Sequence, residues 1–173
     1  SGNVPGDQEF CQHCFSGRFS RTCLANSWLG DGTRKIDSKG IISTIAGTGE
    51  PECCNDNGLA VDALLHFPSD VDVDPQGNLY ISDRSNNRIR KVNSDGIITT
   101  IAGLGKPGYG GDFGPADKAL LKYPFGISFD NKGSLYIADR GNNRIRKIDQ
   151  QGFITTIAGD GTHFFGGDYG PAN

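Results

Sequence analysis

The sequence predicts an all-β chain of three tandem units, each a four-stranded antiparallel sheet that packs on the next as the blades of a β-propeller do. Three observations predict it. The Ile-Ala-Gly triplet that ends at Gly47 recurs at Gly103 and Gly159, a constant spacing of 56 residues. Between 68–116 and 124–172, 28 of 49 positions are identical, which chance does not give, so the second and third units are duplicates. Within a unit, short apolar-polar alternations are separated by turns rich in Gly, Pro, Asn and Asp.

The second unit shows the elements most clearly. Residues 69–74 (Ser-Asp-Val-Asp-Val-Asp) alternate with period two and predict a strand. Pro75-Gln76-Gly77-Asn78 is a turn. Residues 79–83 form a second strand, and Ser85-Asn86-Asn87 the next turn, where Asn tolerates left-handed geometry. Residues 88–92 form a third strand, and Ser94-Asp95-Gly96 turns into a fourth at 97–102. In the long connection that follows, Gly114-Pro115-Ala116 and 117–121 predict a short helical turn that tucks Leu120 and Leu121 under the loop.

The expected blades run about 13–47, 69–103 and 125–159 within a propeller segment 13–173, after a cysteine-containing tail 1–12. One blade buries neither face alone, so neighbours must supply the core. Propellers close with about four to eight blades. Three blades therefore imply further sequence outside the chain, a second copy that completes the ring, or an open assembly.

Composition narrows the function. Net charge is −3, which argues against nucleic acid, whose phosphates require a basic surface. No stretch approaches the ~20 apolar residues of a membrane span. The chain contains no Met, so its first residue is not its own start codon, and it shows no secretory leader.

The words Pro124-x-Gly126-Ile127, Gly133-x-Leu135-Tyr136-Ile137-Ala138-Asp139 and Asn142-Asn143-Arg144-Ile145-Arg146-Lys147 resemble the NHL repeat. The Ile-Thr-Thr-Ile-Ala-Gly ending and the Gly-Gly-Asp-x-Gly-Pro-Ala loops at 110–116 and 166–172 resemble its longer variety, seen in secreted and cell-surface proteins. The resemblance covers about 33–172 and is weakest in the first unit. There Ser27-Trp28 replaces the Asp-Arg pair, and Gly30-Asp31-Gly32 replaces Asn-Asn-Arg. It implies a propeller that binds protein, RNA or glycan. A few relatives are lyases.

Several residues are candidates for sites. Cys11, Cys14, Cys23, Cys53 and Cys54 cluster where the repeat has drifted. Disulfides in an oxidising compartment are the preferred reading, with connectivity open. Cys11-Gln12-His13-Cys14 with Cys23 as zinc ligands is the rival. A vicinal Cys53–Cys54 bond would be strained. Asp70, Asp72 and Asp74 alternate on one face and suggest a Ca²⁺ site, but the spacing matches no helical Ca²⁺ loop. Asp56, Asp112 and Asp168 share one repeat position and are expected to cap the loop turn by accepting backbone N–H groups. Asp83, Arg84 and Arg88, with Asp139, Arg140 and Arg144, are expected to pair between adjacent blades as scaffold rather than to bind an anion. Trp28, Tyr109, Phe113, His163, Phe164, Phe165 and Tyr169 are the partner-binding candidates.

Catalysis finds little support: there are three histidines (His13, His66 and His163) and no Gly-x-Ser-x-Gly motif, and His66 reads as loop surface. No catalytic residue, metal or cofactor is therefore expected. The leading expectation is an extracellular or cell-surface structural and adhesive module that binds protein or glycan partners or itself. A fragment of a metal-dependent lyase or hydrolase and an RNA-binding NHL domain are the alternatives.

Overall fold

The structure is a computed structural model that describes residues 31–163 except 38 and 54, and the backbone of two preceding strands. Its strands form three four-stranded antiparallel sheets, each in sequential order. The first holds β1 (His13–Gly17), β2 (Phe19–Asn26), β3 (Asp31–Ile36) and β4 (Ile42–Gly49). The second holds β5 (Pro68–Val73), β6 (Leu79–Asp83), β7 (Arg88–Val92) and β8 (Ile98–Ala102). The third holds β9 (Pro124–Phe129), β10 (Leu135–Asp139), β11 (Arg144–Ile148) and β12 (Ile154–Ala158). These are the blades of a β-propeller.

The turns form because short polar side chains hold them. Asp74 Oδ1 accepts from the amides of Gln76 and Asn78, and Asp130 Oδ1 does the same for Lys132 and Ser134. At the turn into each outermost strand, Asp37, Asn93 and Asp149 play that part. Such local bonds favour a turn over strand continuation. The triplet glycine has a harder requirement. Gly103 sits at φ +90, and a Cβ there would lie 2.2 Å from the Asn87 carbonyl oxygen. Gly47 and Gly159 repeat the conflict.

The core lies between blades. One cluster joins Ala46 of the first blade to Leu65, Val71, Ile81 and Ile98 of the second unit. The other joins Ile89 and Ala102 of the second blade to Leu121, Ile127, Ile137 and Ile154 of the third unit. Each connection contributes small residues to the seam: Ala60 and Ala63 in one, Ala116 and Ala119 in the other. The expected helical turn is present as a 3₁₀ turn, Ala116–Lys118, and Leu121 beneath it is fully buried.

The long connections also cover the outer edges of the second and third sheets. Phe113 N donates to Ile154 O at 2.7 Å, Ile154 N to Gly114 O, and Ala116 N to Gly152 O. Asn57, Gly58 and Ala60 cap Ile98 and Gly96 of the second blade in the same way. An outermost strand presents unpaired N–H and C=O groups that template aggregation. Here the preceding unit's loop pairs with them. No helix among the described residues is long and apolar enough to cross a membrane.

Candidate functional site

The charged residues singled out by the repeat converge on two matching clusters. Asp83 ends β6 and faces β7. Its carboxylate accepts from the Asn86 side chain, the His66 amide and the Arg90 guanidinium. Arg90, fully buried, also reaches Asp56 in the preceding connection at 2.8 Å. In the third unit Arg146 binds Asp139 at 3.2 Å and Asp112 at 2.7 Å, and Asn142 and the Lys122 amide complete the Asp139 shell.

This geometry corrects two expectations. Asp56 and Asp112 do not cap the loop turn. They pair with a buried arginine in the following blade and so tie each connection to its successor. Asp168 lies outside the described residues. Asp83 and Asp139 do not pair between blades either, because their arginine partners stand on the neighbouring strand of the same sheet. The arginines that matter are Arg90 and Arg146, not Arg84, Arg88, Arg140 or Arg144. The signal for them was available: in both duplicates the arginine stands with Asp at the same two other repeat positions, whereas the first unit has Arg34 but Ser27 in place of one Asp.

The remaining arginines have other work. Arg84 crosses the seam and lies about 6 Å from the ring centres of Tyr123 and Phe125, with Arg140 at a similar distance from Phe125. Arg88 donates to Leu104 O, and Arg144 donates to Asn142 O and Asp160 O. Arg144 also stacks 3.8 Å over the Tyr109 ring.

Protonation follows from burial. Burial pushes Asp83 above the ordinary carboxylate value, against the hydrogen bonds of Asn86, His66 and Arg90. Asp139 is raised for the same reason, against Asn142, Lys122 and Arg146. Burial also pushes Asp112 up, but bonds from Thr156 and Tyr109 together with the Arg146 charge outweigh it, and its carboxyl is lowered.

The carboxylates considered as a Ca²⁺ site do different work. Asp70 Oδ2 accepts from Ile127 N and Asp72 Oδ2 from Phe129 N, each at 2.8 Å, across the seam. Ser69 and Ser82 donate to Pro124 O alongside them. Asp74 holds its own turn. Among the described residues no cluster of three or more potential ligands is arranged for a metal.

The partner-binding candidates divide. Tyr109 packs down: its hydroxyl donates to Asp112 at 2.9 Å, with Thr156 beside it, and its ring lies under Arg144. Phe113 points away, 82% exposed, at φ +65. That left-handed conformation is costly for an aromatic residue. The first unit has Asn57 there at φ +68, the ordinary solution. His163 is exposed, with a ring nitrogen near the Asn143 amide. Trp28, Phe164, Phe165 and Tyr169 lie outside the described residues. His66 is half-buried, stacked on Phe67, rather than plain loop surface. Of the cysteines, Cys53 is disulfide-bonded and adjoins Arg88. The β1–β2 register sets Cys14 directly opposite Cys23. Cys11 and Cys54, like the tail 1–12, lie outside the described residues.

The family model described as the Teneurin NHL domain matches residues 47–109 and 104–166. The chain belongs to the teneurin NHL domain family. It is 31% identical to Teneurin-3 of Danio rerio over 145 residues, which cover 75% of this chain and 5% of that protein. It is 27% identical to NHL repeat-containing protein 3 of Homo sapiens over 132 residues, 75% of this chain and 34% of that protein. The chain thus spans only a small part of these relatives. Among solved structures it is similar to a protein of unknown function from Bacteroides thetaiotaomicron, with TM-score 0.66, 27% identity, and coverage of 73% of this chain and 32% of that one. A streptogramin B lyase shares the fold alone, with TM-score 0.54, 15% identity, and coverage of 82% and 38%.

Proposed function

We propose that this NHL segment is a non-catalytic interaction module at the cell exterior, binding protein partners through the exposed rim of its long connections. Phe113 carries the reading. A large aromatic side chain held outward in a left-handed backbone does nothing for the fold, and strain retained at an exposed position points to binding. The buried ionic clusters support the same reading, because each has its charges engaged in joining connection to blade. The exterior location draws on the teneurin resemblance, on Cys53 being disulfide-bonded, and on Cys14 standing opposite Cys23. A glycan partner and self-association fit the same rim and are separated by experiment.

The test is saturable binding of the purified protein to intact cells, measured by flow cytometry, for the native chain and Phe113→Asn. The variant copies the first unit's residue and keeps the fold. Native binding that is lost after protease treatment of the cells, and at least about tenfold weaker for the variant, is expected of a hot-spot aromatic. Binding removed by glycosidase instead assigns a glycan. Equal binding by the two proteins overturns the assignment to this rim.

A further inference from the structure

The seam between the second and third blades is not filled along its whole length. A cleft of about 480 Å³ opens there, between the turn that joins β5 to β6 and the turns that join β9 to β10 and β11 to β12. That volume lies within the roughly 300–1,000 Å³ of small-molecule sites. The floor is apolar: Ile101, Leu135 and Ile148, with the Tyr80 and Phe129 rings meeting edge to face at 4.6 Å. The rim is polar, with Gln76 and Lys91 from the second blade and Lys132, Asp149 and Gln150 from the third. Its charges balance, because Asp74 and Asp149 stand against Lys91 and Lys132. Asp74 is committed to the fold. Its Oδ2 accepts from the Asn78 side chain and the Tyr80 hydroxyl, and Lys91 lies 3.9 Å away, over the Tyr80 ring. Burial, then the charge and hydrogen bond of Asp74, push the Tyr80 hydroxyl above its ordinary value, so it stays protonated. The third-blade wall keeps capacity to spare. Asp149 spends Oδ1 on the amides of Gln151 and Phe153, and among the described residues neither its Oδ2 nor the Lys132 ammonium takes a partner. The sheet is built without these groups: the second blade has Val73, Gln76, Asn93 and Ser94 where the third has Phe129, Lys132, Asp149 and Gln150.

We propose that this seam cleft is a saccharide site that takes a neutral pyranose between the two blades. A pyranose has a C–H face and an edge of hydroxyls that each donate and accept. The apolar floor suits the first. The Gln76 and Gln150 amides, the free Asp149 oxygen and the Lys132 ammonium supply both donors and acceptors for the second. Two lysines against two carboxylates leave no net charge to hold an anion. A wholly apolar ligand would bury the rim groups without hydrogen bonds, which costs free energy. The lining does not include Phe113, so the site is separate from the partner rim above and does not rest on it.

Saturation-transfer difference NMR tests it, with the methyl glycosides of glucose, galactose, mannose and N-acetylglucosamine as neutral probes and benzoate as an anionic one. At least one glycoside is expected to receive saturation at its ring C–H protons, and benzoate none. Gln76→Ala and Lys132→Ala each remove an exposed side chain, one from either wall, and leave far-ultraviolet circular dichroism and Tm unchanged. Each is expected to weaken the bound glycoside about two- to tenfold, the loss of one hydrogen bond. Phe113→Asn, outside the cleft, leaves that binding as it is. No transfer to any glycoside, transfer to benzoate, weakening by Phe113→Asn, or a cleft variant that binds as well as the native chain overturns the proposal.

Discussion

Replacing Arg146 by Met tests the central claim about this fold, that a buried guanidinium joins connection to blade. The side chain is 0% exposed and meets Asp139 at 3.2 Å, Asp112 at 2.7 Å and the carbonyls of Gly110 and Leu120 at 3.3 Å. Met fills much of the volume but leaves the fully buried Asp139 without its counter-charge. Breaking a buried pair from one side costs about 3–5 kcal/mol. For a chain of this size that lowers Tm by roughly 6–20 °C, read by thermal or urea unfolding. Two further readings separate charge from packing. Adding Asp139→Asn to the variant removes the orphaned charge while keeping an acceptor for the Lys122 amide, so the double variant is more stable than Arg146→Met alone. The deficit also depends on pH in a defined direction. Burial already raises Asp139, and Arg146 is among the groups that oppose the rise. Without Arg146 the carboxyl rises further and takes up its proton at higher pH than the native one. The gap between the two proteins therefore narrows on acidification from neutrality. A loss under about 1 kcal/mol, or a double variant less stable than the single one, refutes the reasoning.

Asp112→Asn gives a pH dependence of the opposite sense. The native carboxyl is lowered below its ordinary value of 3.8, so its contribution is complete above that value and fades as pH falls through the folded one. The Tm difference between native and variant should be largest near neutrality and close below pH 3.8, and a difference that widens on acidification contradicts the assignment. Asp70→Ala leaves the buried Ile127 amide without its acceptor and costs about 1–3 kcal/mol, with faster hydrogen exchange at that amide; unchanged exchange there removes the seam bond from the account. Phe113→Asn, apart from its effect on binding, relieves a left-handed aromatic residue and raises stability by up to about 1 kcal/mol; a lower Tm would mean that the ring packs rather than projects.

Most of the blade was legible in the sequence because its information is local. Strands predicted at 79–83 and 88–92 end where Asp83 and Val92 end them, since Asn87 and Asn93 each need the turn that follows. What escaped is non-local. Nothing near Phe113 says that its amide bonds to Ile154, because the pairing is between one unit's connection and the next unit's edge. Arg90 looked like any strand cation in Arg-Ile-Arg-Lys. Its burial depends on Asp56, 34 residues earlier, arriving over the top of the sheet. Asp70 and Asp72 looked like metal ligands for the same reason: an alternating acidic strand is ambiguous until the backbone donors of the neighbouring blade are in place.

The two near-identical units are not interchangeable, and their differences concentrate at the seams. Identical positions build the sheet and its cap: Asp83 with Asp139, Arg90 with Arg146, Asp56 with Asp112 throughout. The second unit's seam-facing set is Ser69, Asp70, Asp72 and Ser82, all of which bond to backbone of the third unit. At the same four positions the third unit has Phe125, Gly126, Ser128 and Ala138. None of these four offers a carboxylate, so the bonds that lock the second blade to the third cannot form on the far side of the third. Ile145 there is partly exposed, whereas its counterpart Ile89 is fully buried. A following blade would therefore meet an apolar surface without the carboxylate latch. Among the described residues the carboxylate latch fastens the seam between the second and third blades, and the third blade does not carry it on its outer face.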